Sequence, residues 1–227
     1  MKVSLPTLLS FNGGYVDTAG FLALQGLFTA HVTGNFVTFG ASMALGTSGA
    51  VAKLLALPTF CVVVILARLL AHVLSRRSLP VLRTLLGLKF LLLALASVLA
   101  IRLGPFVNGN SREAVLTGMV LVSAMAIQNA VHRVHLASSP PSTLMTGTTT
   151  QIMLDLADLM LGVPVEARAA WRSRVRRMTT AVGCFALGCG GAALLFVLVG
   201  MNCFLLPPLV ALLGILLHVT EPESKPS

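Results

Sequence analysis

Acidic side chains are scarce in this chain. Seven Asp and Glu stand against sixteen Lys and Arg over 227 residues, and charged residues of both signs make up only 10% of the sequence. With 56% hydrophobic residues and a mean hydropathy of +0.92, there is too little polar surface to solvate a globular domain. The composition is that of an integral membrane protein. Cysteine is also rare: Cys61, Cys184, Cys189 and Cys203 all fall in apolar runs, and no two form a Cys-x-x-Cys pair. This argues against a disulfide framework or a thiolate metal site and leaves the sulfurs as small packing groups. The strings His-Glu-x-x-His and Gly-x-Ser-x-Gly are missing, and no acids cluster beyond Asp155 and Asp158. We therefore expect neither an enzyme nor a cofactor. Nor is there a small-residue cleavage site behind the short apolar stretch that meets Gly13-Gly14 and Asp17, so the first span is expected to be retained.

What the chain does have is apolar runs of about 20 residues, the length that crosses a hydrocarbon core as helix. They lie near 55–74, 84–103, 115–134, 179–200 and 202–219, with a sixth near 8–28 interrupted by Asn12, Gly13, Gly14 and Asp17. The net charge of +9 does not point to nucleic acid, because the cations collect in short loops beside the spans. With six spans, Lys2, Arg76, Arg77, Arg83, Arg133, the five arginines of 168–177 and Lys225 fall on one side, eleven in all. Lys53, Arg102 and Arg112 remain on the other. Both termini are expected in the cytoplasm. The expected organisation is one membrane domain over 1–220 and a short polar tail at 221–227.

Two related segments interrupt this apolar background, FTAHVTGNFVTFG at 28–40 and PSTLMTGTTTQIM at 141–153. Each sets a polar Thr-Gly element, Thr33-Gly34-Asn35 or Thr146-Gly147-Thr148, in a sequence apolar enough for a bilayer. Irregular backbone is tolerated there only where protein or a water-filled cavity surrounds it. The residues before each element alternate and are β-branched, as an extended strand would be. Those after it, 36–45 and 151–161, read as helices ending at Gly46 and Gly162. The pattern predicts two broken or re-entrant elements, with Thr33, Asn35, Thr146 or Thr148 capping the buried helix starts. Exposed N–H groups at such starts suit a polar or anionic solute.

A shift of about 113 residues superposes the two segments and the spans around them, giving pseudo-repeats 1–110 and 111–220. With three spans each, the halves enter the membrane from opposite sides, and the fold expected is all-α with two inverted three-helix repeats. Asp17 is the acid of the first span and a proton-coupling candidate, because an intramembrane carboxylate is costly to keep. His31, two residues before Thr33, is a second candidate, histidine being the side chain that changes charge near neutral pH. In the second half Gln128 and Asn129 supply neutral hydrogen-bonding groups. The substrate-binding set is thus Thr33, Gly34, Asn35, Gln128, Asn129, Thr146, Gly147 and Thr148. Arg68, two turns inside a span, is expected to pair with Asp17, Asp155 or Asp158. His132, Arg133 and His135 read as topology anchors.

The stretch 164–178 carries Trp171 and five arginines and reads as an interfacial helix against anionic lipid. Gly183, Ala186, Gly188, Gly190 and Gly191 form a small-residue face suited to internal packing or a homodimer. On GYVDTAGFLALQGLFTAHVTGN at 14–35, AMAIQNAVHRVHL at 124–136 and TLMTGT at 143–148, the chain resembles the YoaK-type bacterial inner-membrane proteins, a family defined as a domain of unknown function. Ala126 departs from the Met-Gly-x-Gln-Asn form usual at that motif. The resemblance implies a six-span inner-membrane protein and brings no substrate. From the residues we expect a small-solute transporter or channel, with a membrane interaction, assembly or sensory protein as the alternative.

Overall fold

The computed structural model describes residues 4–162 and 164–220, and the polar tail at 221–227 lies outside them. Among the described residues every regular element is helical. In chain order these are α1 (Leu5–Ala23), a 3-10 turn (Val32–Gly34), α2 (Asn35–Leu45), α3 (Ala50–Arg76), α4 (Val81–Leu103), α5 (Arg112–His135), α6 (Met145–Leu161), α7 (Val165–Val199), a second 3-10 turn (Gly200–Leu205) and α8 (Leu206–Thr220).

Four stretches are long and apolar enough to cross a membrane: α3, α4, α5 and the continuous run Glu166–Leu217, which holds α7 and most of α8. The helix starts and stops follow local chemistry. Pro6 occupies the first turn of α1, where its missing N–H costs nothing. Ser111 caps α5 by accepting the N–H of Ala114 at 3.2 Å, with Glu113 in the first turn. Gly46 and Gly162 end α2 and α6 in the left-handed region, at φ 65° and 100°, which favours glycine. The stretch 164–178 does not form a separate helix. It runs unbroken into the apolar part of α7, because no Gly or Pro interrupts 165–182 and a started helix propagates cheaply.

Helix α5 sits at the centre, with Val122, Met125 and Gln128 fully buried, and packs against both α3 and α4. Helix α1 packs along α7 and α8, α4 against α8, α2 against α3, and α6 against α7. The crossing of α1 and α7 is close because glycines face backbone on both sides. A Cβ on Gly14 would lie 2.1 Å from the Phe185 carbonyl oxygen, and one on Gly188 would lie 2.1 Å from that of Phe11. The other glycines of the small-residue face play no such part: a Cβ on Gly183 or Gly190 would meet nothing within 4 Å. Outside this core the helices show apolar side chains, as on α3 with Val62, Ile65, Leu66 and Leu69 exposed.

Buried side chains of α1 and α4 hold the break between α7 and α8, and the start of α8, through hydrogen bonds to backbone carbonyls. Tyr15 donates to the Cys203 carbonyl at 2.8 Å, Asn12 to that of Pro207 at 3.3 Å, and Ser97 to that of Phe204. Near the start of α3, Lys53 is not a loop charge as the sequence suggested. It is buried in α3, where its Nζ donates to Ser42 Oγ at 2.6 Å and ties α2 to α3.

Candidate functional site

The chain leaves α1 at Leu24 and does not resume helix until Val32. Residues between carry backbone N–H groups that need acceptors. Asp17, 5% exposed on α1, supplies one: its Oδ1 accepts the N–H of Thr29 at 2.7 Å, of Ala30 at 2.8 Å and of His31 at 3.4 Å. Asn35 closes the segment from the other end. Its Oδ1 accepts the Phe28 N–H at 2.9 Å while its Nδ2 donates to the Phe28 carbonyl at 2.7 Å. Both side chains act inward on the backbone, and neither lines an open space.

The second segment is held from α5 through its side chains. Gln128 donates to the Leu9 carbonyl at 2.9 Å and to Ser142 Oγ at 3.1 Å, and Asn129 Oδ1 accepts from Thr143 Oγ1 at 2.8 Å. Two sequence expectations are corrected here. Thr146, Gly147 and Thr148 are not an irregular element ahead of the helix; α6 begins at Met145 and takes them into its first turn. Nor does any of the four named residues cap a helix start, since α2 and α6 have no side-chain cap. Thr148 Oγ1 instead donates back to the Leu144 carbonyl at 3.1 Å, and Asn35 is engaged with Phe28. A threonine inside a first turn finds the preceding carbonyl nearer than any free N–H.

The two segments meet at one cavity of about 390 Å³. Ala30, His31, Val32 and Thr33 line it from the first segment, and Thr143 and Leu144 from the second. Leu57, Phe60, Val64 and Arg68 contribute from α3, and Asn129, Ala130, Arg133 and Val134 from α5. Of the residues proposed from sequence, His31, Thr33 and Asn129 line this space. Asp17, Asn35 and Gln128 stand behind it as supports, while Gly34, Thr146, Gly147 and Thr148 are not among its lining residues.

Arg68 is the residue that sequence reasoning misread, and Arg133, read there as a topology anchor, also lines the cavity. Arg68 does not pair with an acid: Asp17 is taken by backbone, and Asp155 forms its ion pair with Arg174 at 2.6 Å. Among the described residues no carboxylate pairs with either arginine. The scarcity of acids was the available signal, since the sequence of α3 contains none at all. The cavity thus combines two cations, a half-buried histidine, the hydroxyls of Thr33 and Thr143, and an apolar wall of Leu57, Phe60 and Val64. Its volume is that of a small-molecule site. Guanidinium groups present fixed forks that match carboxylate or phosphate, and an apolar wall accepts a short carbon skeleton.

A family model described as "Protein of unknown function (DUF1275)" matches residues 5–217, and the chain belongs to that family. It is the family to which the YoaK-type resemblance pointed. No curated protein and no solved structure matches the chain.

Proposed function

We propose that this member of the DUF1275 family is a transporter or channel for small anionic solutes. The observation that carries the reading is the cavity in which both Thr-Gly segments meet beside two arginines that have no acidic partner among the described residues. The anion's charged group is bound by Arg68 and Arg133, with Thr33 and Asn129 completing its hydrogen bonds and Thr143 orienting the Asn129 amide. Asp17, Asn35, Gln128 and the Thr146-Gly147-Thr148 turn hold the two segments in place. Where transport is proton-coupled, His31 is the group that faces the solute, and Asp17 contributes by fixing the turn that carries it.

The repeat organisation supports this. Exchanging α1 with α5, α2 with α6, α3 with α7 and α4 with α8 converts the α1–α7 packing into α5–α3, α1–α8 into α5–α4, and α2–α3 into α6–α7, while α4–α8 maps onto itself; all of these pairs are in contact. We read this as two inverted halves with six spans, α1, α3, α4, α5, α7 and α8, and with α2 and α6 re-entering. In transporters of that plan the solute sits between the halves. The distribution of Lys and Arg supports cytoplasmic termini in a bacterial inner membrane.

The test is flux of a panel of small carboxylates and inorganic anions in proteoliposomes. The Arg68→Gln/Arg133→Gln variant, checked for folding by thermal unfolding, should lose flux. Unchanged flux in a folded variant would remove the cavity from the pathway. Failure of every solute to move or to bind would favour an interaction or assembly role.

A further inference from the structure

A second hollow lies elsewhere, in a groove of about 710 Å³ between α6 and α7. Arg168, Arg172 and Arg176 line it at intervals of four residues, which places them in one row along α7. Leu156 and Leu159 of α6 form the opposite wall, and Val175 adds an apolar side chain from α7. Beyond this row, α7 continues into its apolar portion, so the groove joins a cationic end to a surface suited to hydrocarbon.

The nearby acid is already committed to another face. Asp155, fully buried, accepts from Arg174 Nε and Nη2, both at 2.6 Å, and Arg174 lies over the Trp171 ring at 4.5 Å. The charge of Asp158 also acts on Arg174. This cluster fixes α7 on α6 and leaves the exposed Arg172 and Arg176 turned to the groove, with no carboxylate paired to either among the described residues. An amphiphile with an anionic head fits both the charge and the apolar wall. We propose that the groove binds one anionic phospholipid, with the headgroup phosphate between Arg172 and Arg176 and an acyl chain along Leu156, Leu159 and Val175. The lipid thereby secures α6, the partner of α2 across the repeat, against α7. This proposal stands independently of the transported solute.

Trp171 is the chain's one tryptophan and belongs to the Asp155–Arg174 cluster beside the groove, next in sequence to Arg172, so its fluorescence reports this region of α6 and α7 alone. Purified full-length protein in uncharged detergent is titrated with phosphatidylglycerol, with phosphatidylcholine of the same chains, and with inorganic phosphate, and apparent melting temperature is followed in parallel. Phosphatidylglycerol should give a saturable fluorescence change and a higher melting temperature, and the other two should not. Arg172→Gln/Arg176→Gln should weaken the response by roughly 20- to 30-fold. Arg76→Gln/Arg77→Gln, which removes the same charge between α3 and α4, should respond like the unmodified protein. If the first variant does not fold, Leu156→Gln on the opposite wall should weaken binding instead. Equal responses to phosphatidylcholine or phosphate, or an equal loss in the Arg76/Arg77 variant, would overturn the site.

Discussion

Asp17 Oδ1 accepts the backbone N–H of Ala30 at 2.8 Å, across a gap of thirteen residues, and also holds the N–H groups of Thr29 and His31. One carboxylate oxygen thus organises the turn that brings His31 and Thr33 to the cavity. Asp17→Leu removes the acceptor and leaves buried donors unsatisfied, at a cost of about 1–3 kcal/mol for each. It should lower the unfolding temperature steeply. Asp17→Asn keeps an acceptor oxygen, so the variant should fold and still transport. A folded Asp17→Asn protein with no flux would return the proton-coupling role to Asp17 itself.

The glycines of α1 and α7 should divide sharply by position. Gly14→Ala and Gly188→Ala each force a methyl group against a carbonyl oxygen, and overpacking of this kind costs about 1–3 kcal/mol or more. Gly183→Ala and Gly190→Ala meet open space and replace a poor helix former, which should stabilise by up to about 1 kcal/mol. Thermal unfolding of the four variants in one detergent checks the ordering. Destabilisation by Gly183→Ala or Gly190→Ala would show that this face is covered in solution.

Lys89 is 1% exposed in α4, and its Nζ has no hydrogen-bond partner among the described residues; Asn12 Oδ1, on the same small cavity, has none either. Lys89→Met keeps the length of the side chain and removes a buried polar group that nothing compensates. We expect a gain of about 1–3 kcal/mol in stability. A loss, measured as a lower unfolding temperature, would mean that a bound water or ion completes the site.

Acid should loosen α6 from α7. Burial pushes the Asp155 carboxyl up, but hydrogen bonds from Arg174 and Gln151 outweigh it and hold the group below its ordinary value. A folded-state pKa below the unfolded one adds stability that is complete above the unfolded value and lost as pH falls through the folded one. The unmodified protein should therefore show an added acid-dependent loss of stability below about pH 4, the ordinary aspartate range. Asp155→Asn should show a smaller one. Identical pH profiles for the two would exclude the pair as the acid-sensitive link.

Much of the helical framework was legible in the residues. Apolar runs located α3, α4 and α5, and Gly46 and Gly162 marked the ends of α2 and α6. These are local signals, set by hydropathy and by backbone freedom. The start of α6 was misplaced because Thr and Gly read as helix breakers, whereas Leu144 and the turn before it provide the break. The site was only partly legible. His31, Thr33 and Asn129 reached the cavity, but Arg68 and Arg133 were assigned to pairing and anchoring, because their separation of 65 positions hides that α3 and α5 are neighbours.

The sequence by itself determined that this is an all-helical membrane protein interrupted twice by polar, glycine-containing segments, because composition and short-range pattern suffice for that. Only the tertiary structure decided what the interruptions do. Asp17 and Asn35 turn inward to satisfy broken backbone, since an unpaired N–H or carbonyl is costly where water is excluded, and Gln128 turns inward to Leu9 and Ser142. The space left between the segments falls to residues from other helices, and which side chains those are depends on packing over distances that no local pattern records.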